Sequence, residues 1–227
     1  MQTKYLLLAI NFLIPLCVAG SQTNTIKSKN KPSSTKNYMK SLYENINGFS
    51  IPQEERDLVN KTSSATYGEI KYKSLKTILD DLKPTKKDIF YDLGSGVGKV
   101  AIQACLDYPF KKSVGIELSK TRLEHSQKIR AQIKKDKKIE KSHNLFFHYQ
   151  DITQANLSDA SFIFTCSTCF PKNLMQTLTN KFAALKSGTK ILTLKHLETH
   201  PKIKFIKEYN LAMTWSKNTA VYLYKVI

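Results

Sequence analysis

The sequence predicts an α/β fold with a Rossmann-like architecture: a seven-stranded, mostly parallel sheet that ends in an antiparallel hairpin. Short apolar segments alternate with amphipathic helical segments between residues 70 and 194, as in a parallel sheet with crossover helices. A glycine-rich turn, 94–98, joins the first apolar segment to a helix. The last two apolar segments follow each other with no helical segment between them, which favours an antiparallel pair.

The individual elements are predicted from apolar spacing and from their end signals. Between 38 and 59 the helical pattern is weak, and a second short helix starts near Pro52. Ser119 is suited to cap the longest helix, and Ser187 with Gly188 stops the last one. The predicted helices cover 70–82, 99–106, 120–135 and 173–185, and the predicted strands cover 88–91, 113–117, 145–149, 160–165, 190–194, 203–209 and 220–226.

Length and charge limit the class of protein. At 227 residues the chain fits one domain, predicted over 38–227, with an N-terminal extension. It carries 36 Lys and Arg residues against 18 Asp and Glu residues, a formal charge of +18. This excess favours an acidic partner such as nucleic acid, a nucleoprotein surface or an anionic membrane. A Lys-rich proteome would produce the same excess with no partner, so this alternative stays open.

The N-terminus is predicted to be a secretory signal followed by a basic arm. Lys4 precedes a mostly apolar stretch, 5–18, and small residues suited to cleavage follow it within residues 1–20. The stretch is shorter than the about 20 residues of a membrane span, so export is expected, with an uncleaved membrane anchor as the alternative. Residues 21–37 are mostly polar and basic, which predicts a disordered arm that attaches to an acidic surface or nucleic acid.

No metal site is expected. Cys166 and Cys169 have the spacing of half a zinc site, but no second cysteine pair accompanies them. His196 and His200 have the spacing of the zinc-protease helix motif, but Leu197 stands where that motif needs glutamate. The histidines are therefore interpreted as surface or loop residues, and the cysteines as small residues at a strand end.

The glycine-rich turn predicts a nucleotide-type binding site. Gly94, Gly96 and Gly98 follow Asp92 at the end of the first strand. The third glycine comes one position too early for the dinucleotide fingerprint, and Val100 stands where a phosphate-binding P-loop needs Ser or Thr. S-adenosylmethionine (SAM) needs a close backbone approach, an acid near its ammonium group and a second acid for its ribose. The turn is therefore predicted to bind SAM, against the alternative of a glycine turn without a ligand.

Acidic residues occur at the ends of three successive predicted strands. Asp92 and Glu117 end the first two, and Asp151 follows the third. Because ligands of open α/β folds bind at the carboxyl edge of the sheet, we expect these side chains around one ligand. Glu117 is expected to accept hydrogen bonds from the ribose hydroxyls. Asp151 is expected to reach the adenine amino group, with Ile152 packed on the ring.

Residues 64–227 resemble the non-SET histone-lysine methyltransferases, the disruptor-of-telomeric-silencing family. The matching motifs are Ala-Thr-Tyr-Gly-Glu (65–69), Asp-Leu-Gly-Ser-Gly-Val-Gly (92–98), Phe-Ala-Ala-Leu-Lys-Ser-Gly (182–188), and Trp215 with Tyr222 seven positions later. The resemblance implies a class I methyltransferase fold, SAM as cofactor and a protein lysine as acceptor. It also implies that Tyr67 and Glu69 lie in a loop over SAM and that Tyr222 lines the channel for the substrate lysine.

Two positions depart from the family's pattern. After its fourth strand the family has Asn-Asn-Phe-x-Phe, and here the matching stretch, 166–170, is Cys-Ser-Thr-Cys-Phe. Phe170 agrees, but Cys166 replaces the asparagine that faces the methyl-transfer site. Lys99 replaces a glutamine that touches SAM. The predicted catalytic-site residues are therefore Tyr222, Phe170 and Cys166, and Lys99 joins the predicted cofactor-binding residues.

The expected function is that of a SAM-dependent protein-lysine N-methyltransferase, with a histone or nucleosome as candidate substrate. Such an enzyme must deliver a neutral amine to the methyl group, and an apolar, aromatic channel disfavours the ammonium form. Two alternatives remain: a membrane-linked lysine methyltransferase of another protein, and a basic binding module that keeps the SAM fold without catalysis. Cys166 in place of asparagine favours the second alternative.

Overall fold

The computed structural model describes residues 34–136 and 143–227. The helices are α1 Thr35–Leu42, α2 Gln53–Asn60, α3 Tyr72–Leu82, α4 Lys99–Asp107, α5 Lys120–Lys135 and α6 Lys172–Ala183, and the strands are β1 Ile89–Leu93, β2 Lys112–Glu117, β3 Leu145–Tyr149, β4 Phe162–Thr165, β5 Lys190–Thr193, β6 Ile203–Leu211 and β7 Thr219–Val226. The sheet order is β3-β2-β1-β4-β5-β7-β6, and β7 runs antiparallel to both of its neighbours. The predicted fold class is confirmed.

Several element ends differ from the predictions. α1 begins at Thr35, inside the predicted arm, because the Ser34 side chain accepts a hydrogen bond from the Asn37 backbone N–H and caps the helix. α6 ends at Ala183, two residues early, because the next two backbone N–H groups bond to carbonyls only three residues back and tighten the chain. A 3-10 turn over Ser167–Cys169, which the apolar pattern did not predict, follows β4.

The predicted signal segment, 1–20, and most of the predicted arm lie outside the described residues. In the part that the structure describes, no helix has the length and apolar character needed to cross a membrane. The first described helix, α1, packs Met39 and Leu42 into the cluster that α4 and α5 form with β3.

The core occupies both faces of the sheet because successive strand residues point to opposite sides. In β1, Phe90 packs with α3 through Leu79, whereas Tyr91 packs with α6 through Phe182. The α4 and α5 helices bury a third cluster against β3 that includes Phe147. The central strands are therefore covered by helices on both faces, and their ends are held in fixed positions.

The strand register brings one set of carboxyl ends to a common edge. Leu93 at the end of β1 pairs with Ile116 of β2 and Thr165 of β4. Glu117, the last residue of β2, pairs with Tyr149 at the end of β3. The glycine turn and the residues that follow β2, β3 and β4 therefore meet at this edge, as ligand-binding loops do in open α/β sheets.

Candidate cofactor and acceptor site

Three glycines with left-handed backbone form the turn between β1 and α4. Gly94, Gly96 and Gly98 have φ angles of 75°, 55° and 87°, a region that residues with a side chain rarely adopt. A Cβ added at Gly96 would lie 2.4 Å from Cε2 of Tyr67. The ring of Tyr67 can therefore close on this turn only because no side chain stands between them.

Glu117 presents a buried carboxylate to the glycine turn. Its Oε2 accepts a hydrogen bond from the Gly96 N–H at 2.6 Å, and its Oε1 accepts one from the Ser119 N–H at 2.7 Å. Burial raises the pKa of Glu117, while the Ser119 hydrogen bond and the charge of Arg122 lower it. Because a carboxylate oxygen accepts more than one hydrogen bond, both oxygens retain capacity for the hydroxyl donors of a ligand.

Asp92 is buried one strand away from Glu117, and the described part of the chain gives it no cationic partner. No ion pair within residues 34–136 and 143–227 includes it. Burial and the negative charge of Glu117 raise the pKa of Asp92 from 3.8 to about 8. The Ser95 hydroxyl, in the same cleft, is buried without a hydrogen-bond partner in the described part of the chain. A ligand with a hydrogen-bonding group beside Ser95 and a cationic group beside Asp92 would supply both side chains with partners.

Asp92 predicts a pH dependence of stability for the protein without cofactor. Its folded-state pKa lies above its unfolded value, so the stability it contributes is present below about pH 4 and is lost as the pH rises through about 8. At pH values above 8, Asp92→Asn should therefore raise the temperature of the unfolding midpoint. The expected rise is about 2–4 °C for each kcal/mol gained in the free energy of unfolding. Calorimetric melts from pH 4 to pH 9 test this, with the exposed Asp57→Asn as control. A midpoint difference that does not change with pH would contradict the assignment.

Tyr67, Glu69 and Lys99 form a hydrogen-bonded group beside the turn. The Tyr67 hydroxyl donates to Oε1 of Glu69 at 2.7 Å, and Nζ of Lys99 donates to Oε2 at 2.7 Å. Burial and the adjacent Glu69 carboxylate raise the pKa of Tyr67, which keeps its hydroxyl protonated. Lys99 Nζ also lies 5.0 Å from the centre of the Tyr43 ring. The group places one carboxylate and one ammonium side by side at the cleft.

Asp151 and Ile152 border the cleft after β3. Oδ1 of Asp151 accepts hydrogen bonds from the backbone N–H and the hydroxyl of Thr153, both at 2.8 Å. Ile152 is buried beside it. The turn after β3 therefore offers a fixed carboxylate and an apolar side chain at neighbouring positions.

The wall after β4 is mainly apolar. Sγ of Cys166 lies 3.7 Å from the carbonyl oxygen of Gly68, and burial, with the charge of Asp92, raises its pKa from 9.0 to about 12. Cys166 is therefore a neutral thiol at physiological pH. Phe170 lies against Gly94, and the Trp215 ring packs directly on Gly68, where a Cβ would come within 2.3 Å of it.

Ser167 fixes the position of this wall, and its role has no signal in the sequence. Its buried hydroxyl oxygen accepts hydrogen bonds from the backbone N–H groups of Leu194 at 3.1 Å and Lys195 at 3.0 Å. Nζ of Lys195 donates to the carbonyl of Phe170 at 2.6 Å. The hydroxyls of Ser167 and Thr193 also share a hydrogen bond at 2.6 Å, so four hydrogen bonds hold the turn that carries Cys166 and Phe170 to the end of β5.

The structure brings most of the predicted site residues to one cleft at the carboxyl edge of the sheet. Gly96 and Gly98 belong to the turn but do not line the cleft, and neither does Tyr222. The Tyr222 ring instead stacks on His196, with ring centres 3.7 Å apart. The predicted residues that line the cleft are Tyr67, Glu69, Asp92, Gly94, Lys99, Glu117, Asp151, Ile152, Cys166 and Phe170.

The sequence did not indicate Arg122, which also lines the cleft. It is 3% exposed and donates hydrogen bonds to backbone carbonyls far away in the chain. An arginine near the start of a helix carries no motif that predicts such contacts. Over the two described ranges, no group of three or more His, Cys, Asp or Glu side chains is arranged to hold a metal ion.

Comparison with known proteins places the chain in a family. The family described as "Histone methylation protein DOT1" matches residues 50–224. A histone-lysine N-methyltransferase of Caenorhabditis elegans, H3 lysine-79 specific, is 30% identical over 190 residues, which are 79% of this chain and 20% of that protein. The protein of the same description from Eremothecium gossypii is 32% identical over 170 residues, 70% of this chain and 28% of that protein.

Among solved structures, an RNA methyltransferase from Salinibacter ruber in complex with S-adenosyl-L-homocysteine has a TM-score of 0.51 and 19% identity, over 67% of this chain and 89% of that chain. At this identity the likeness shows the Rossmann-like methyltransferase fold. The chain spans between a fifth and a third of the length of the two curated relatives. Because the family match covers most of the sequence, from just before α2 into β7, the chain belongs to the DOT1 family of histone methylation proteins.

Proposed function

We propose that this chain is a SAM-dependent protein-lysine N-methyltransferase and that a histone lysine is its acceptor. The observation that carries the proposal is the convergence of Asp92, Glu117 and Glu69 on one cleft that Cys166 and Phe170 also line. The curated relatives are histone-lysine methyltransferases specific for H3 lysine-79, which supports both the reaction and the acceptor class.

The charged groups of the cleft fit the parts of SAM. Glu117 would accept hydrogen bonds from the ribose hydroxyls. Asp92 and Glu69 would attract the ammonium of the methionine end, and Lys99 would attract its carboxylate. Asp151 and Ile152 would hold the adenine. SAM, when bound, supplies a methyl group on a positively charged sulfur that needs no further activation.

The acceptor side must favour a neutral lysine amine, whose free pKa is about 10.4. The wall of Cys166, Phe170 and Phe164 is apolar and borders the cleft, and an apolar wall disfavours the ammonium form. Because the Cys166 thiol stays protonated at physiological pH, it would act as a wall and not as a nucleophile. Alignment of the amine with the methyl group would then provide most of the rate. Tyr222, beyond the lining residues, would contribute to the outer part of the acceptor path.

Two measurements on the full chain test the two halves of this proposal. Isothermal titration calorimetry with SAM and with S-adenosylhomocysteine tests the cofactor, and transfer of a labelled methyl group to free histones and to nucleosomes tests the acceptor. We expect binding of both nucleosides and label on lysine. The absence of any binding would reject the cofactor assignment.

Lys99→Gln, which introduces the residue of the resembling family, is expected to weaken SAM binding about tenfold while leaving the fold intact. The substitution replaces a charge-assisted hydrogen bond by a neutral one, a difference of about 1–1.5 kcal/mol. The Lys99–Glu69 pair is partly exposed, with 34% and 13% of the side chains accessible, so its loss should cost at most about 1 kcal/mol of stability. Calorimetric titration measures the affinity, with the exposed Lys73→Gln as control. Equal affinities for the two variants would contradict the role of Lys99.

We also propose that the N-terminal segment directs export and that the basic arm binds an acidic surface, such as the nucleic acid of a nucleosome. The support is the composition of residues 1–37 and the formal charge of +18. N-terminal sequencing of the natively produced protein, with fractionation, tests export, and an uncleaved start in the cytosol would reject it. Removal of residues 21–33 tests the arm: the affinity for nucleosomes should fall, by an amount that depends on the salt concentration.

Cys166 favours a second candidate function, a SAM-fold binding module without catalysis. In the resembling family an asparagine faces the methyl-transfer site at this position, and a thiol offers much weaker hydrogen bonding than an amide. This candidate predicts SAM binding with no transfer to any protein. Restored transfer in Cys166→Asn would show that the cysteine alone had removed the activity.

A further inference from the structure

A segment of the N-terminal part of the domain, 48–67, covers the cofactor cleft without belonging to the sheet. It contains α2 but no strand. Five of its residues line the cleft: Val59, Ser63, Ser64, Thr66 and Tyr67. Segment 48–67 therefore needs contacts other than strand pairing to stay in place, and a group of charge-assisted hydrogen bonds supplies them at the start of α5.

Arg122 bonds to both ends of segment 48–67. Its Nε donates to the carbonyl of Gly48 at 2.9 Å, and its Nη2 donates to the carbonyl of Ala65 at 2.8 Å. Its guanidinium carbon also lies 4.6 Å from the centre of the Tyr67 ring, a cation–π distance. A planar guanidinium with several donors can satisfy both carbonyls at once, which an ammonium cannot do in the same geometry.

Glu55 bonds the middle of the segment to the same turn of α5. Its Oε1 accepts a hydrogen bond from the Thr121 N–H at 2.9 Å and also bonds the Ser119 hydroxyl, and its Oε2 accepts from the Thr121 hydroxyl at 2.7 Å. A carboxylate at a helix N-terminus is stabilised by the free N–H groups there. α2 is thus held by a second set of hydrogen bonds, none of which includes Arg122.

The same turn also supports Glu117. The Ser119 N–H donates to Glu117, and the positive charge of Arg122 favours the Glu117 carboxylate over its protonated form. The charged groups around this pair are Asp92 from β1, and Glu55 and Arg56 from α2. Arg122 therefore contacts segment 48–67 and also acts on Glu117, the residue that is expected to bind the ribose.

We propose that Arg122 and Glu55 are positioning residues for cofactor binding: they hold segment 48–67 over the cleft, and Arg122 also keeps the Glu117 carboxylate available to the ribose hydroxyls. This inference rests on the proposed function, because the cofactor is the ligand that segment 48–67 would enclose. It predicts that substitution of either residue weakens cofactor binding more than it weakens the fold.

The variants Arg122→Lys, Arg122→Met and Glu55→Gln separate the contacts. Arg122→Lys keeps the charge and loses the fork, Arg122→Met loses both, and Glu55→Gln removes the carboxylate from the α5 turn. Matched controls are Lys120→Met, which removes an exposed positive charge from the same helix end, and Glu54→Gln, which changes the exposed neighbour of Glu55. S-adenosylhomocysteine is the probe, titrated by calorimetry between pH 5 and pH 8, and hydrogen exchange reports on residues 48–67.

We expect Arg122→Met to raise the dissociation constant about tenfold or more, Arg122→Lys and Glu55→Gln to raise it less, and both controls to leave it within about twofold. In Arg122→Met the acid limb of the binding profile should also move to higher pH than in Arg122→Lys, because only the methionine variant removes the charge beside Glu117. Amides of 48–67 should exchange faster in all three variants.

Affinities within about twofold of the wild type in Arg122→Met and Glu55→Gln would overturn the proposal, and so would unchanged exchange in 48–67. If Arg122→Met does not fold, Arg122→Lys and the more exposed Glu55→Gln decide the matter by the same criteria. Failure of the proposed function gives a different result: the wild type itself would not bind the probe, while exchange in the unliganded variants would still show whether Arg122 and Glu55 hold the segment.

Discussion

Glu117→Ala is expected to raise the dissociation constant for SAM about a hundredfold or more, the largest effect of any single substitution in the cleft. The loss of hydrogen bonds from two ribose hydroxyls to a buried carboxylate costs about 1.5–3 kcal/mol for each bond. The Gly96 and Ser119 N–H groups, which donate to this carboxylate at 2.6 and 2.7 Å, would also lose their acceptor. The glycine turn would then lose part of its geometry as well.

Calorimetric titration with SAM measures this effect. Glu124→Ala, an exposed glutamate on the same helix as Arg122, is the matched control and should bind as the wild type does. Glu117→Gln gives a further comparison, because its amide nitrogen cannot accept one of the two backbone hydrogen bonds. A Glu117→Ala protein that folds and binds SAM within about fivefold of the wild type would show that Glu117 does not hold the ribose.

Gly96→Ala should produce the second largest effect, about a tenfold or greater loss of SAM affinity together with about 1–3 kcal/mol of stability. The residue has a φ of 55°, where an alanine is strained. Its Cβ would also lie 2.4 Å from the Tyr67 ring, so Tyr67 must move away from the cleft. The substitution thus combines a backbone penalty with an opening of the cofactor site.

Gly188→Ala separates these two contributions. Gly188 has a φ of 93°, but a Cβ there would meet no atom within 4 Å, and the residue lies outside the cleft. Its alanine variant should lose stability, measured by denaturant unfolding, and keep its SAM affinity. Equal losses of affinity in the two glycine variants would show that strain alone, and not the contact with Tyr67, accounts for the effect.

The alternation of apolar and amphipathic segments was sufficient to predict the sheet and its closing hairpin, because parallel strands need crossover helices. The meeting of Asp92, Glu117 and Asp151 at one cleft could be predicted for the same reason: each stands at the carboxyl end of a parallel strand. The structure places all three in the cleft lining. Their individual roles toward SAM remain predictions.

The contacts that the sequence did not predict join residues far apart in the chain. The carbonyls that Arg122 binds lie 74 and 57 residues before it, and an arginine at a helix start gives no sign of such partners. Tyr222 illustrates the same limit, since its stack on His196 depends on how the loop between β5 and β6 packs against β7. Local patterns specify elements and their ends, whereas these contacts follow from the packing of finished elements.

The most direct test of the central claim is the transfer of a labelled methyl group from SAM to nucleosomes and free histones by the full chain, with the product located by mass spectrometry. We predict label on a lysine side chain of a histone, present with the wild type and lost with Glu117→Ala. SAM binding without label on any protein, or label on nucleic acid bases instead of lysine, would contradict the assignment of a protein-lysine methyltransferase.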